Sequence, residues 1–478
     1  MDVNEIIITE NCDIKFALSK IDETGLGSLF VVNDNFELIG IITDGDIRRS
    51  LLKGRSLNTS VIDIMNKSYV SLPVDTDTAD ILNKLNETIK IIPLLDNQNK
   101  LVDYASLSKV RRISVSAPLL NGNELAYVTE CIKTSWVSSQ GKYVKKFEEL
   151  FSKYHHNRKS LAVSNGTVAL HLALEALKIG EGDEVIVPDL TFAASVNAII
   201  YTGATPILAD VDPASWNIDV DTIEFLITPK TKAIMPVHLY GLPCNMTKIL
   251  ELAKKYNLFI IEDCAEALGS YYGGQPVGTF GDIATFSFYG NKTITTGEGG
   301  MLVFKNEEVA NYASVLRDHG MNKTKRYWHD HVGFNYRMTN IQAALGVAQF
   351  ERLDEFVLSK IRNAKFYNEL FDSLGYFETP LYDNNTINSF WLYTCLVKKN
   401  APFTRDELID FLHQKGIETR PVFYPMHEMP PYTEFAPYKL EVSIDVSRRG
   451  ISFPSSVSLS NSELAYIKKI LFLFTSQF

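Results

Sequence analysis

The period of apolar and polar positions changes several times along the chain, and each change predicts an element. Residues 27–46, GSLFVVNDNFELIGIITDGD, are apolar on both sides of an Asn-Asp turn and predict a strand, a turn, a second strand and the start of a helix. The pattern returns from residue 89 in IKIIPLLDNQNKLVDYASLSKV, with Asp34 and Asp96 in matching places. A helical stretch precedes each copy, at residues 14–23 and 78–88. Two such units, each too small to be stable alone, predict one N-terminal domain over residues 1–112. Residues 109–116, KVRRISVS, read as a basic connector without helix or long strand. Beyond it strand and helix signals alternate, the pattern of an α/β fold, which predicts a large domain over residues 113–366 and a small C-terminal α+β domain over 367–478.

Three stretches of the large domain carry chemistry. In FSFYGNKTITTGEGGM, residues 286–301, Lys292 stands just beyond an apolar strand and just before a turn with Gly297, Gly299 and Gly300. No carboxylate is nearer to it in sequence than Asp282 and Glu298, so burial would favour the neutral amine, which forms a Schiff base with an aldehyde cofactor. The plain reading is a strand ending in a solvated lysine. In SNGTVALHLALEAL, residues 164–177, a small polar turn opens into an apolar-periodic helix, whose first N–H groups bind phosphate or are closed by an ordinary cap from Ser164, Asn165 or Thr167. In LFIIEDCAEALGS, residues 258–270, a buried-type strand delivers Asp263 to its carboxyl end, where open α/β sheets hold ligands. Phosphate turn, strand-end acid and strand-end lysine together are what pyridoxal 5'-phosphate needs: an anion site, a partner for the ring nitrogen and an amine.

Composition narrows the classes. With 45% hydrophobic and 22% charged residues over 478 positions, the chain is expected to be globular with a sizeable core. A net charge of −10 argues against non-specific nucleic-acid binding and leaves any anionic substrate to local positive groups. The five cysteines are scattered without metal-ligand spacing, so neither a disulfide nor a metal is expected. The first 13 residues lack a signal-peptide pattern, and residues 190–209, though uncharged, are interrupted by polar residues and Pro206. That stretch is expected to be strand, helix and strand rather than a membrane span, and the protein to be cytoplasmic.

Two resemblances refine this reading. GIITDGDIRRSLLKG in the first N-terminal copy resembles the cystathionine-β-synthase (CBS) domain pattern, which implies a paired module that binds an adenine nucleotide through Thr43 and Asp46, or one that only supports or assembles. The second copy has Ser106 and Lys109 at those positions and Asp103 in place of a glycine, so at most one nucleotide site is expected. SWVSSQGKYVKKFE, SNGTVALHLALEAL, EDCAEALGS, FSFYGNKTITTGEGGM, VGFNYRMTNIQAALG and TRPVFYPMHEMPPY, in that order, resemble the DegT/StrS sugar aminotransferase family, and within it the perosamine-synthase-like members most. The resemblance implies the fold-type I pyridoxal-phosphate architecture, a homodimer, and transfer of an amino group from L-glutamate to a nucleotide-linked keto-sugar, a GDP-linked 4-keto-6-deoxyhexose by the subgroup.

It also implies roles residue by residue. Lys292 is the Schiff-base lysine and proton shuttle, and Asp263 the acid on the pyridine nitrogen. Gly166, Thr167 and Ser287 hold the phosphate, and Phe192 stacks on the ring. Glu266 stands near the ring oxygen where relatives often have His or Gln, and Asn335 reaches the neighbouring subunit's cofactor phosphate. Substrate contacts are Ser139, Tyr289 (histidine in many relatives), His329, Arg420 and His427. Arg420 suits a pyrophosphate, although Glu418 is close enough for a plain ion pair. Rival readings are an aminotransferase for a UDP- or dTDP-linked sugar, a sugar dehydratase on the same fold, in which histidine replaces the lysine, and a nucleotide-sensing regulatory protein with a non-catalytic large domain.

Overall fold

The computed structural model describes residues 3–86, 88–106, 109–110, 112–382 and 384–478. Glu87 of the second predicted helix, Leu107 and Ser108 of the second copy, and Arg111 of the connector lie outside them. The chain separates into two compact units, one of Met1–Ile113 with His413–Ile417 and Ser460–Ile470, the other of Ser114–Leu412, Glu418–Leu459 and Leu471–Phe478.

In the N-terminal unit the repeat is structural. Strand Ile7–Thr9 runs parallel to Ser28–Val32, which pairs antiparallel with Leu38–Thr43; Leu72–Pro73, Ile91–Leu95 and Leu101–Ser106 repeat that scheme. Both hairpins shift register at the same place, between Val31 and Val32 and between Leu94 and Leu95. The turns equate Asn33, not Asp34, with Asp96: each side-chain Oδ1 accepts N–H groups two and four residues on, from Asn35 and Glu37 and from Gln98 and Lys100. The left-handed residues of the two turns are correspondingly Phe36 and Asn99, at φ 63° and 61°. The second helix is shorter than its apolar period suggested, Thr78–Lys84 rather than 78–88, because Asn86 Oδ1 accepts the N–H groups of Thr88 and Ile89 and turns the chain out of the helix.

In the larger unit a seven-stranded sheet runs in the order Lys159–Val163, Gly300–Phe304, Ile283–Ser287, Phe259–Asp263, Thr231–Ile234, Glu184–Pro188, Thr205–Ala209. Gly300–Phe304 lies antiparallel to both of its neighbours and the remaining pairs are parallel. Alternate residues divide between the two faces. Leu161, Val163, Val185, Val187, Ala233, Ile261, Leu302 and Phe304 join one core with helix Gly166–Ala176. Ala162, Ala284, Phe286, Met301 and Val303, and on the far half Ile186, Ile234 and Ile260, fill the other side. Burial on both faces explains why these strands read as continuous apolar runs. Within residues 190–209 the chain forms helix Ala193–Tyr201 and strand Thr205–Ala209, the preceding strand having already ended at Pro188. Among the described residues no helix is long and apolar enough to cross a membrane.

Towards the C-terminus four short strands, Phe377–Glu378, Tyr393–Val397, Gly450–Phe453 and Arg420–Pro421, pair antiparallel in that order. Helix Leu353–Leu374 carries the chain unbroken through residue 367, so the expected start of the small domain lies inside a helix. That helix fastens the segment after strand Gly450–Phe453: Tyr367, Lys360, Asn363 and Arg362 donate to the carbonyls of Pro454, Ser455, Ser456 and Leu459.

Candidate active site

Strand ends supply the site. Val163 ends its strand, Ser164 and Asn165 turn the chain, and Gly166 starts the helix. Asn165 caps it by accepting the Val168 N–H at 3.0 Å, a bond that does not use the N–H groups of the first helical residues, Gly166 and Thr167, the kind of groups that bind anions at helix starts. The corner is tight. A Cβ on Gly166 would lie 2.9 Å from the Ser287 Cβ, and one on Gly300 would lie 2.5 Å from the Asn165 carbonyl oxygen. Two glycines therefore let the phosphate turn sit against the ends of the neighbouring strands, with the Ser287 hydroxyl beside it.

Asp263, at the end of its strand, is buried. Its Oδ2 accepts the Ser195 hydroxyl at 2.8 Å and its Oδ1 the Ala265 N–H at 3.1 Å. Burial pushes its carboxyl up, while those donors and the Lys292 charge pull it down. Lys292 follows strand Ile283–Ser287 in a turn closed by its own N–H on the Tyr289 carbonyl at 2.9 Å. Its Nζ lies 3.8 Å from Glu266 Oε1 and 3.7 Å from the centroid of the Trp391 ring. Burial lowers the lysine and raises the Glu266 carboxyl, each opposed by the other's charge. Desolvation is the larger effect on both, so burial disfavours the charged form of each and eases proton loss from the Lys292 amine.

Of the other predicted residues, Phe192 caps helix Ala193–Tyr201 with its ring 60% exposed, as a stacking face must be, and Tyr289 is also exposed. Arg420 lies near enough for its charge to depress Lys292 further, and its Nη2 is 3.4 Å from Glu418 Oε1, a loose ion pair that leaves the guanidinium half-exposed. The imidazole of His427 is fixed by buried Asp189, through Nδ1 at 2.8 Å, and Ser443 donates to the same carboxylate at 2.5 Å. The remaining candidates gather elsewhere. Ser139 lines a cleft of about 310 Å³ with Arg317, Asp318 and Arg337, and Lys292 is not part of its wall. Asn335 accepts from Arg337 at 3.0 Å, and His329 Nδ1 bonds the His319 carbonyl at 2.8 Å, both in the segment that follows Arg317.

Sequence reasoning missed Ser195, Trp391, Tyr240 and Asp189. Ser195 and Asp189 had local signals, a hydroxyl three residues after Phe192 at a helix start and an acid just past the strand that ends at Pro188, whereas Trp391 and Tyr240 sit in apolar runs that read as core. The groups present fit pyridoxal phosphate: free helix N–H groups and a hydroxyl for its phosphate, a buried acid for its ring nitrogen, an exposed phenyl for its face and a desolvated amine for its aldehyde.

In the N-terminal unit, Thr43 and Asp46 form a reciprocal helix cap. The Thr43 N–H and hydroxyl donate to Asp46 Oδ2 at 3.0 and 2.6 Å, and the Asp46 N–H donates to the Thr43 hydroxyl at 3.2 Å. In the second copy Lys109 is ion-paired to Asp103 and lies 3.7 Å over the Tyr104 ring. His238, Glu262 and Cys264 have ligand atoms within 4.8 Å of one another, but Glu262 already accepts the Gly278, Phe280 and Gly281 N–H groups and His238 Nδ1 the Cys244 N–H. The trio is a satisfied buried network rather than a ligand set.

Comparison with known proteins agrees with both halves. The profile of the DegT/DnrJ/EryC1/StrS aminotransferase family matches residues 118–472, and that of the CBS domain matches residues 1–53 and 61–116. GDP-perosamine synthase of Escherichia coli O157:H7 is 51% identical over 358 residues, 75% of this chain and 97% of the relative. That of Caulobacter vibrioides is 48% identical over 359 residues, with the same coverage. Among solved structures, PseC of Helicobacter pylori, an aminotransferase involved in the biosynthesis of pseudoaminic acid, superposes with a TM-score of 0.73 at 27% identity, covering 77% of this chain and all of the other. A Streptococcus pneumoniae chain in its PLP form gives 0.72 at 28% identity over 77% of this chain and 99% of its own length.

Proposed function

The chain belongs to the DegT/DnrJ/EryC1/StrS aminotransferase family, and from that premise we propose that it moves an amino group from L-glutamate to GDP-4-keto-6-deoxymannose, giving GDP-perosamine for a surface polysaccharide such as an O-antigen. It is a pyridoxal-phosphate-dependent sugar-nucleotide aminotransferase of the α/β, fold-type I architecture. The observation that carries the reading is the Lys292 amine, desolvated 3.8 Å from Glu266 at the strand-end edge that also holds Asp263. When bound, pyridoxal phosphate supplies an aldehyde that takes up and returns the amino group and a ring that accepts electrons from a breaking C–H bond.

The chain's own groups do the rest. Gly166, Thr167 and Ser287 bind the phosphate, and Phe192 covers one face of the ring. Asp263 holds a proton on the ring nitrogen. Lys292 Nζ anchors the aldehyde and, once free, carries the proton to and from the substrate carbon, in one half-reaction with glutamate and in the other with the keto-sugar. Arg420 meets the diphosphate, with Tyr289 and His427 beside the sugar. The cleft with Ser139, Arg317 and Arg337, together with Asn335 bonded to Arg337, serves a second copy's cofactor and substrate, which makes the working unit a homodimer, and its compartment is the cytoplasm. The N-terminal unit binds one adenine nucleotide at its first copy.

The test is mass spectrometry of the nucleotide sugars after incubation with glutamate, pyridoxal phosphate and a panel of GDP-, UDP- and dTDP-linked 4-keto-6-deoxysugars. A GDP-linked amino sugar as the main product is expected. A UDP- or dTDP-linked product would overturn the substrate and keep the reaction, and a deoxygenated sugar without nitrogen would replace transfer by dehydration.

A further inference from the structure

Trp391 entered the site unannounced by any motif, yet it is the group that lies against the reacting nitrogen, with Lys292 Nζ 3.7 Å from its ring centroid. It is buried and tied on three sides. Its indole N–H donates to the carbonyl of Asn291, the residue before Lys292, at 2.8 Å. Its own carbonyl accepts from the buried Lys360 at 3.1 Å. Its ring stacks on Tyr240 at 6.0 Å and 13°. Tyr240 is held in the left-handed region, φ 52°, and donates its N–H to Glu266 Oε2 at 2.7 Å. One strained residue thus sets both groups that flank the amine, an indole face and a carboxyl.

Resting on the aminotransferase reading, we infer that Trp391 is a positioning residue for the amine: its indole face seats Lys292 as a cation whenever the amine is not bonded to the cofactor. Transamination demands such a seat. In half of the cycle the amino group belongs to the cofactor and the lysine is free, and it must neither swing into solvent nor lose the ability to give up its proton. A carboxylate alone would hold the cation too firmly, by a full charge. An aromatic face attracts the ammonium through its quadrupole, adds no charge, and leaves a deprotonated amine in the same place. The charged and titratable groups facing the amine are Glu266, Asp263 and Arg420. The carboxyls favour the cation and the guanidinium opposes it, and the indole adds to the first side without titrating.

The experiment measures acetylation of Lys292 across pH by peptide mass spectrometry, in the full-length chain freed of cofactor. Trp391→Leu is expected to lower the titration midpoint of the amine by about one pH unit, hence to raise labelling about tenfold at a fixed pH below it. Trp391→Phe, which keeps an aromatic face, is expected to restore much of the shift. Midpoints equal to wild type in both variants would overturn the inference. Borohydride reduction with pyridoxal phosphate separates the two claims. If wild type fixes the cofactor on Lys292 and the midpoints do not move, only the seat is wrong, whereas a wild type that fixes none overturns the functional reading as well. Should neither variant fold, wild type labelled with 5-fluorotryptophan is read instead, its Trp391 resonance assigned by replacing the other three tryptophans. A Trp391 signal that titrates in wild type and not in Lys292→Met supports the seat, and one that never titrates overturns it.

Discussion

Lys292 and Asp263 were legible as single residues because each is a polar group placed where an apolar run stops, and strand ends are where an α/β sheet presents its chemistry. Their surroundings were not. The nearest carboxylates in sequence, Asp282 and Glu298, are not those that act on the amine, which are Glu266 and Asp263. Glu266 lies in the same short motif as Asp263, but its distance from the lysine is set by the turn at Tyr240, which no local pattern announces. Replacing Lys292 by Ala should leave a folded chain with no product in the nucleotide-sugar assay and no cofactor retained through borohydride reduction. Asp263→Asn removes the negative charge but keeps an acceptor for Ser195, so the fold should persist while turnover falls by on the order of 10²–10³ or more. Unchanged circular dichroism together with steady-state rates checks both, and a fast Asp263→Asn enzyme would remove the acid from the mechanism.

At the scale of elements, the turn into helix Gly166–Ala176 was readable from its small polar residues, whereas the reason for its glycine was not. It is the approach of Ser287, from a strand more than a hundred residues on. Gly166→Val should therefore push the phosphate turn off the strand end and weaken cofactor binding at least tenfold, about 1.4 kcal/mol, measured by fluorescence titration with pyridoxal phosphate. Helix Leu353–Leu374 spans the expected boundary at residue 367 and fastens residues 454–459 through side chains whose partners are backbone carbonyls, a kind of pairing that sequence pattern does not show. Lys360 has two such carbonyls, and burial pushes its amine down to about 7. That is below the ordinary lysine value of 10.5, so the unfolded chain binds more protons between the two. The contribution of Lys360 to stability is complete only above 10.5 and is lost as the pH falls to 7, with a limiting slope of about 1.4 kcal/mol per pH unit. The melting temperature of Lys360→Met should depend less on pH between 7 and 9 than that of wild type, and parallel curves would show that Lys360 is not neutral inside the fold.

Across the whole molecule the sequence showed two copies of one hairpin at its start, because their turn chemistry and apolar runs are local, but aligned the turns one residue out at Asp34. It gave no sign that residues 413–417 and 460–470 belong with the N-terminal unit, since nothing in a local pattern records which distant segments pack together. The two hairpins share strand pairing, register shift and turn, and are unequal in chemistry. At the first, Thr43 and Asp46 cap their own helix and Arg49 pairs with Asp46, so a ribose diol must use the carboxylate's remaining lone pairs. At the second, the position of Asp46 is occupied by Lys109, which is already neutralised by Asp103 and covers Tyr104. A nucleotide pair would find one acid and one filled site. Calorimetric titration of the full-length protein with AMP, ADP and ATP should thus give one site per chain, abolished in Asp46→Ala. That variant also loses a helix-capping bond worth about 1 kcal/mol, so its melting temperature is followed in parallel to separate lost binding from lost folding. Two sites would mean that Lys109 moves aside to receive phosphate, and none would leave the N-terminal unit a structural module.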